Sequence, residues 1–487
     1  MPSLAGRRGL VVVTAAVVAA VVGLVPGVAG ASARHLKAPA SAAFTNYSVA
    51  ETTGSTCPGS TQCSNIAAEP AIRSDPAGAF YASSENGLGG GTIAVRSTDG
   101  GQHYTTLASP DAGSSSNNTG FAPGGGDTDL ATAPAPNAGG RYNVYVASLS
   151  LANIDVSTSI DGGATWTLNL ISATIPGDDR EWIAADGASK VCISYHDVAT
   201  FNIDVNCSLN AGTTFTQVGD AIDTSHAFLI DNNEIGNLAI DPASHTVYQV
   251  FSGIDSVSDA VAGAGYHDVW IGVSTDGGQT FTDHKVYGNP DSSVSYGHQF
   301  VNVSIDKAGN LYAVFSDDHN LWYAYSSSHG QTWSAPVKVN QAPSATAIMP
   351  WSVAGDAGKL DVVWYGTSYY DGQNPPDNYP SSAVWNVYFA QNNAATTPGS
   401  TFTQTTASPV NHYGGVCEGG ISCTGNRDLF DDFGVAASPT TGLASIIYSD
   451  DQYDPAGPNS SGCTSSTSNS NSCDHTAIAT QTAGGTI

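Results

Sequence analysis

STDGGQHY (97–104), SIDGGATW (159–166) and STDGGQTF (274–281) are three copies of one octapeptide, Ser-x-Asp-Gly-Gly-x-x-aromatic. SLNAGTTF (208–215) and SSSHGQTW (326–333) are degraded copies of it. The local physics of such a stretch is a tight turn. An Asp or Asn side chain folds back onto nearby backbone N–H groups, glycines supply positive φ, and the aromatic plugs the turn against the strands around it.

Between these octapeptides lies a second recurring signal, a short strand-like run, a turn and an apolar run. It is read in EPAIRSDPAGAFYASS (69–84), DLATAPAPNAGGRYNVYVAS (129–148), REWIAADGASKVCISYHD (180–197) and NLAIDPASHTVYQVFSG (237–253). It returns in VNVSIDKAGNLYAVFSDD (301–318), WSVAGDAGKLDVVWYGT (351–367) and FGVAASPTTGLASIIYSDD (433–451). Asp, Pro, Gly or Asn breaks the chain between the two runs of each, which is hairpin chemistry. Each unit is therefore an inner hairpin followed by a turn-bearing hairpin, or four strands.

The octapeptides are similar to the Asp-boxes, or BNR repeats, of sialidases and related propellers, and the resemblance covers nearly all of residues 65–482. It implies an all-β fold, a β-propeller of four-stranded antiparallel blades exported from a bacterium. Seven inner hairpins start near 69, 127, 180, 234, 298, 349 and 428, so seven blades are preferred, with the six of sialidases as the alternative. Segment 34–64 lies ahead of the propeller at 65–487, and AFTNYSVAE (43–51) within it is suited to complete the last blade. Residues 1–33 read as a signal peptide: Arg7-Arg8, an apolar run from Leu10 to Val25 and a small-residue cleavage site at Ala31-Ser32-Ala33. The arginine pair fits either a general or a twin-arginine exporter. The expected product is secreted, extracellular, monomeric and free of the membrane.

Composition narrows the partners. A formal net charge of −28 repels phosphate backbones, which excludes nucleic acid. It also repels anionic sugars unless arginines are concentrated in one pocket. Eight cysteines in an exported chain read as disulfides, with Cys57–Cys63, Cys192–Cys207, Cys417–Cys423 and Cys463–Cys473 as neighbouring pairs. No cofactor is expected. Ca²⁺ is kept as a structural ion, because Asp317-Asp318 and Asp450-Asp451 end inner hairpins and suit either ion binding or turn capping.

Chemistry is expected where inner strands converge on the propeller axis. Aligning the hairpin starts places Glu69, Asp127, Asp179, Arg180, Glu234, His298, Met349, Arg427 and Asp431 at or near that mouth. Glu69, Asp127, Arg180, Glu234, Arg427 and Asp431 are the candidates for catalysis, with Asp179 and His298 for ligand binding. The resemblance to sialidases implies three arginines on a sugar carboxylate, a Tyr–Glu nucleophile and an Asp acid/base. This chain departs from that pattern. AAEPAI (67–72) has no arginine before its proline, and Arg73, Arg96 and Arg141 are placed elsewhere, leaving Arg180 and Arg427. A carboxylate-rich mouth that cleaves or binds glycans is the leading expectation, with glycoside hydrolysis of the exo-sialidase-like type as the reaction the resemblance implies. A non-catalytic binding propeller and an extracellular scaffold are the alternatives.

Overall fold

A computed structural model describes residues 41–48, 68–85, 91–111, 124–150, 153–173, 178–372, 374–452 and 475–487. The expected signal segment and Cys57, Cys63, Cys463 and Cys473 lie outside the described residues. Among the described residues no helix is long and apolar enough to cross a membrane.

The described residues form seven antiparallel sheets, each built on four strands, in sequence order in the first six, with a short fifth strand at His412–Tyr413 in the sixth. The fold is a seven-bladed β-propeller. Its inner strands are Ala68–Ser74, Thr128–Thr132, Asp179–Asp186, Asn233–Ile240, Asn302–Ile305, Thr346–Ala354 and Gly434–Ala437. Each touches the next and the seventh touches the first, so the ring is closed. All seven begin within a few residues of the starts read from the sequence. The seventh sheet is a composite: its outermost strand, Ala43–Ser48, pairs antiparallel with His475–Ala483.

The strands are so apolar because blades stack face to face. Val144–Leu149 and Leu311–Ser316 are buried along almost their whole length rather than at alternate residues. Apolar clusters form between neighbouring blades. One joins Tyr312, Val314 and Leu321 to Val362, Trp364 and Tyr388, and another joins Tyr145 and Ile154 to Ile183, Val191 and Ile193. Each such side chain contributes roughly 1.5–3 kcal/mol by leaving water. Trp182, Trp351, Trp364 and Tyr365 belong to these layers, while Tyr370 stands exposed.

The octapeptide turns have the geometry their composition dictates. Ser159 Oγ donates to Asp161 Oδ1 at 2.8 Å and accepts from the N–H of Gly163 at 2.7 Å. Asp161 Oδ1 accepts from the N–H groups of Ala164 at 3.1 Å and Thr165 at 2.9 Å. The same bonds recur around Asp99, Asp276 and Asn210. At Ser328 a serine hydroxyl takes the carboxylate's place. Gly163 has φ 87°, and a Cβ there would sit 2.5 Å from the Leu107 side chain, so both conformation and space require glycine. Slight burial works to raise the Asp276 carboxyl, but hydrogen bonds from Thr280, Ser274 and Gln279 outweigh it and hold it at about 2.

Cys192 and Cys207 face each other across adjacent strands and are bonded, and Cys417–Cys423 closes a small loop. Cross-linking over 15 residues stabilises by about 3 kcal/mol in the chain-entropy account.

Asp161→Ala is expected to lower unfolding free energy by about 1–2 kcal/mol, by analogy with a lost helix cap. Urea denaturation monitored by tryptophan fluorescence measures it. A loss below about 0.3 kcal/mol would show that the backbone holds the turn unaided.

Candidate functional site

A cavity of about 410 Å³ opens where the inner strands begin. It is lined by Asp127, Asp179, Arg180, Glu234, His298, Arg427 and Asp431, together with Gln299, Phe300, Met349 and Glu418. Glu69 lies behind them, fully buried and bonded to both arginines. The eight residues singled out from the sequence are thus brought to one end of the axis. Arg73 is not: it pairs with Asp129 at 2.8 Å and lines a second cavity, of about 290 Å³, between the inner strands. Arg96 and Arg141 reach the carbonyls of Gly162 and Asp161 in an outer turn.

The backbone explains how the residues escape the ordinary alternation of a strand. Register shifts fall between Ala68 and Ala71, Asp179 and Glu181, Ile235 and Leu238, and Ile348 and Trp351. In three of these four bulges a non-glycine residue is left-handed: Glu69 with φ 45°, Arg180 with φ 50° and Met349 with φ 50°. Such conformations cost ~1–3 kcal/mol each and persist where surrounding contacts impose them. A bulge re-aims a side chain that the pleat would hold against a sheet face.

Arg180 is the centre of the arrangement and is only 5% exposed. Its Nη1 donates to Glu69 Oε2 at 2.6 Å and lies 3.7 Å from Asp127 Oδ2, while Nη2 donates to Asp432. The guanidinium lies over Trp182 and Phe300, at 4.3 and 4.5 Å from the ring centroids. Arg427 donates to Asp431 at 2.5 Å and to Glu69 at 3.4 Å. Opposite them, His298 pairs with Asp318 at 2.7 Å, and that hydrogen bond holds the imidazole above its ordinary pKa. Asp317 caps its own turn, accepting from Asn320 N–H at 2.6 Å and Trp322 Nε1 at 2.9 Å.

Carboxyl groups here resist ionisation. Burial pushes Glu234 up to about 7, with the nearby Asp179 adding to the effect and Arg180 opposing it. Burial and Asp127 carry Glu85 to about 7, and burial carries Asp432 to about 7 against the pull of Arg180. Glu181 and Glu418 lie well above the ordinary range, both chiefly through burial. Neither oxygen of the Glu181 carboxyl has a hydrogen-bond partner.

Glu85, Glu181, Gln299, Glu418 and Asp432 are site residues that reading hairpin starts missed. Glu85 ends the second strand of the first blade, a place the hairpin starts do not mark. Glu418 comes from the loop closed by Cys417–Cys423 and accepts from Gln299 Nε2; Gln299 Oε1 accepts from the N–H of Met349. An acidic residue inside a six-residue disulfide loop was the available signal.

No protein-family profile matches the chain and no curated protein matches it. Solved structures to which it is similar include sialidase and arabinofuranosidase propellers. An α-L-arabinofuranosidase from Fusarium graminearum in complex with an iminosugar inhibitor is 10% identical, over 91% of this chain and 97% of that one, with a TM-score of 0.44. A protein of unknown function from Dyadobacter fermentans is 12% identical, over 85% and 94%, with a TM-score of 0.42. The intramolecular trans-sialidase from Ruminococcus gnavus in complex with oseltamivir carboxylate is 11% identical, over 84% and 94%, with a TM-score of 0.38. Identities at this level transfer no residue role.

Two outcomes follow from the charge arrangement. Arg180→Met leaves Glu69 buried without its principal partner and is expected to cost about 3–5 kcal/mol. The triple change Arg180→Met, Glu69→Gln, Asp432→Asn should recover much of that in chemical denaturation; no recovery would mean that packing over Trp182 and Phe300 dominates.

The second outcome concerns pH. The folded protein keeps protons on Glu85, Glu234, Asp178 and Asp432, all raised to about 7 mainly by burial, that the unfolded chain releases near pH 4. Their contribution to stability is complete below the unfolded value and is lost as pH rises through about 7. Melting temperature should therefore fall between about pH 5 and pH 8 in a buffer-matched scan, and a flat or rising profile would contradict it.

Proposed function

We propose that the protein works outside the cell as a glycan-acting propeller and hydrolyses a glycosidic bond at the funnel mouth, with Glu234 as general acid. The observation that carries this reading is the Glu234 carboxyl, held at about 7 inside a cavity that Asp127 and Asp179 also line. A carboxylic acid still protonated near neutrality can give its proton to a leaving oxygen. Asp127, ion-paired to Arg180 at 3.7 Å, supplies the second carboxylate, which faces the positive charge that develops on the sugar ring. Phe300 and Met349 give the cavity an apolar wall for a sugar face. Asp179 and His298 are the groups suited to orient hydroxyls.

The charge balance supports a neutral glycoside. Five carboxyl groups line the cavity beside two arginines, and both arginines are already engaged by Glu69, Asp431 or Asp432. A sugar carboxylate would have to break those pairs. Export is supported by the two disulfides, which persist in oxidising compartments. We assign the protein a monomeric state for the assays below.

A panel of chromogenic neutral glycosides and a sialoside tests the proposal. Neutral substrates should be turned over and the sialoside should not. Glu234→Gln should lower kcat by about 10²–10⁴ with the melting temperature within a few degrees of wild type. The kcat profile should fall as pH rises through about 7, where the acid loses its proton. Binding of glycans without turnover of any substrate would make the funnel a recognition site instead.

A further inference from the structure

Between the sixth and seventh blades, outside the lining of the funnel cavity, His412, Asp428 and Asp451 meet in the interior. His412 is 0% exposed, Asp428 3% and Asp451 6%. One ligand atom from each lies within 4.8 Å of the other two. His412 is on the short strand His412–Tyr413 added to the sixth blade, Asp428 is in the segment leading to the seventh, and Asp451 follows the strand Ala444–Asp450.

The hydrogen bonds fix the imidazole. His412 Nε2 lies 2.9 Å from the carbonyl oxygen of Gly415, which can only accept, so Nε2 carries a proton. Nδ1 faces Asp451 Oδ2 at 2.8 Å and donates a proton to it, and a metal ion bound here would take that proton's place. A histidine whose outer nitrogen donates to a backbone carbonyl, leaving the other nitrogen directed at carboxylates, has the orientation of a metal ligand. A second, independent feature points the same way. Asp428 Oδ2 is buried with no hydrogen-bond partner. Buried oxygen acceptors without donors are costly unless a cation satisfies them.

We propose that His412, Asp428 and Asp451 bind one divalent transition cation, of the Zn²⁺ or Mn²⁺ type. A neutral imidazole with two carboxylates carries two negative charges, matching a divalent ion. The imidazole selects against Ca²⁺ and Mg²⁺, whose ligands are oxygens. The role of the ion is structural. It ties the sixth blade to the segment bearing Glu418, Arg427, Asp431 and Asp432, and so fixes one wall of the funnel without touching a ligand there. The site does not depend on whether the funnel hydrolyses anything.

The test uses the full-length secreted protein, stripped with a chelator and titrated calorimetrically with ZnCl₂, MnCl₂ and CaCl₂. Wild type should take up one equivalent of Zn²⁺ or Mn²⁺ and melt several degrees higher with the ion, and Ca²⁺ should bind at least tenfold more weakly. Asp428→Asn and His412→Gln should each weaken binding by about 10–100-fold. Asp428→Asn removes an unpaired buried charge, so the stripped variant should melt no lower than stripped wild type and remains a folded test if His412→Gln does not fold. Failure to bind either ion at about 1 mM, equal affinity for Ca²⁺, or wild-type affinity in Asp428→Asn would each overturn the proposal.

Discussion

One buried guanidinium makes the mouth of this propeller tenable. Ring closure aims the start of every inner strand at a single axis, and in so acidic a chain that convergence collects carboxylates. Glu69, Asp127 and Asp432 would repel one another in a medium that screens poorly; Arg180 stands among them and meets all three. Trp182 and Phe300, packed edge to face against each other, both contact the guanidinium, so its direction is set by packing as well as charge. The strained backbone at Glu69 and Arg180 is tolerated because these contacts over-determine it. Glu234 makes no ion pair among the described residues, and burial with the nearby Asp179 keeps its proton against the pull of Arg180.

The two ends of a blade follow different physics. The outer turns are self-sufficient: Ser159, Asp161 and Gly163 satisfy one another within a few residues, and the pattern therefore repeats with little regard to its surroundings. The inner ends are satisfied only across blades. Arg180 of the third reaches Glu69 of the first and Asp432 ahead of the seventh. Such residues need not resemble each other from blade to blade, and they do not.

That contrast also decides what the sequence discloses. The octapeptides and hairpin starts announce the fold because their energetics are local, and the seven starts lead straight to Glu69, Arg180, Glu234 and His298. Glu418 belongs to an insertion outside the repeat, and its position depends on a disulfide loop and on Gln299 from another blade. Glu181 lies outside the pattern of hairpin starts, beside the register shift at Arg180. Asp432 differs from Asp431 only in which arginine it meets, a distinction made by tertiary packing alone.

The last sheet joins Ala43–Ser48 to His475–Ala483, so its edge is made from parts of the chain more than four hundred residues apart. During synthesis the early strand cannot make its native pairing until residues 475–483 have been made. The borrowed strand is also the outermost of its sheet, and the inner strands touch around the ring without it. Loss of that edge would therefore be a partial opening rather than collapse. Amide protons of residues 43–48 would exchange with solvent sooner than those of the inner strands, and the gap left beside residues 475–483 would be a vacant edge on which a foreign strand can add.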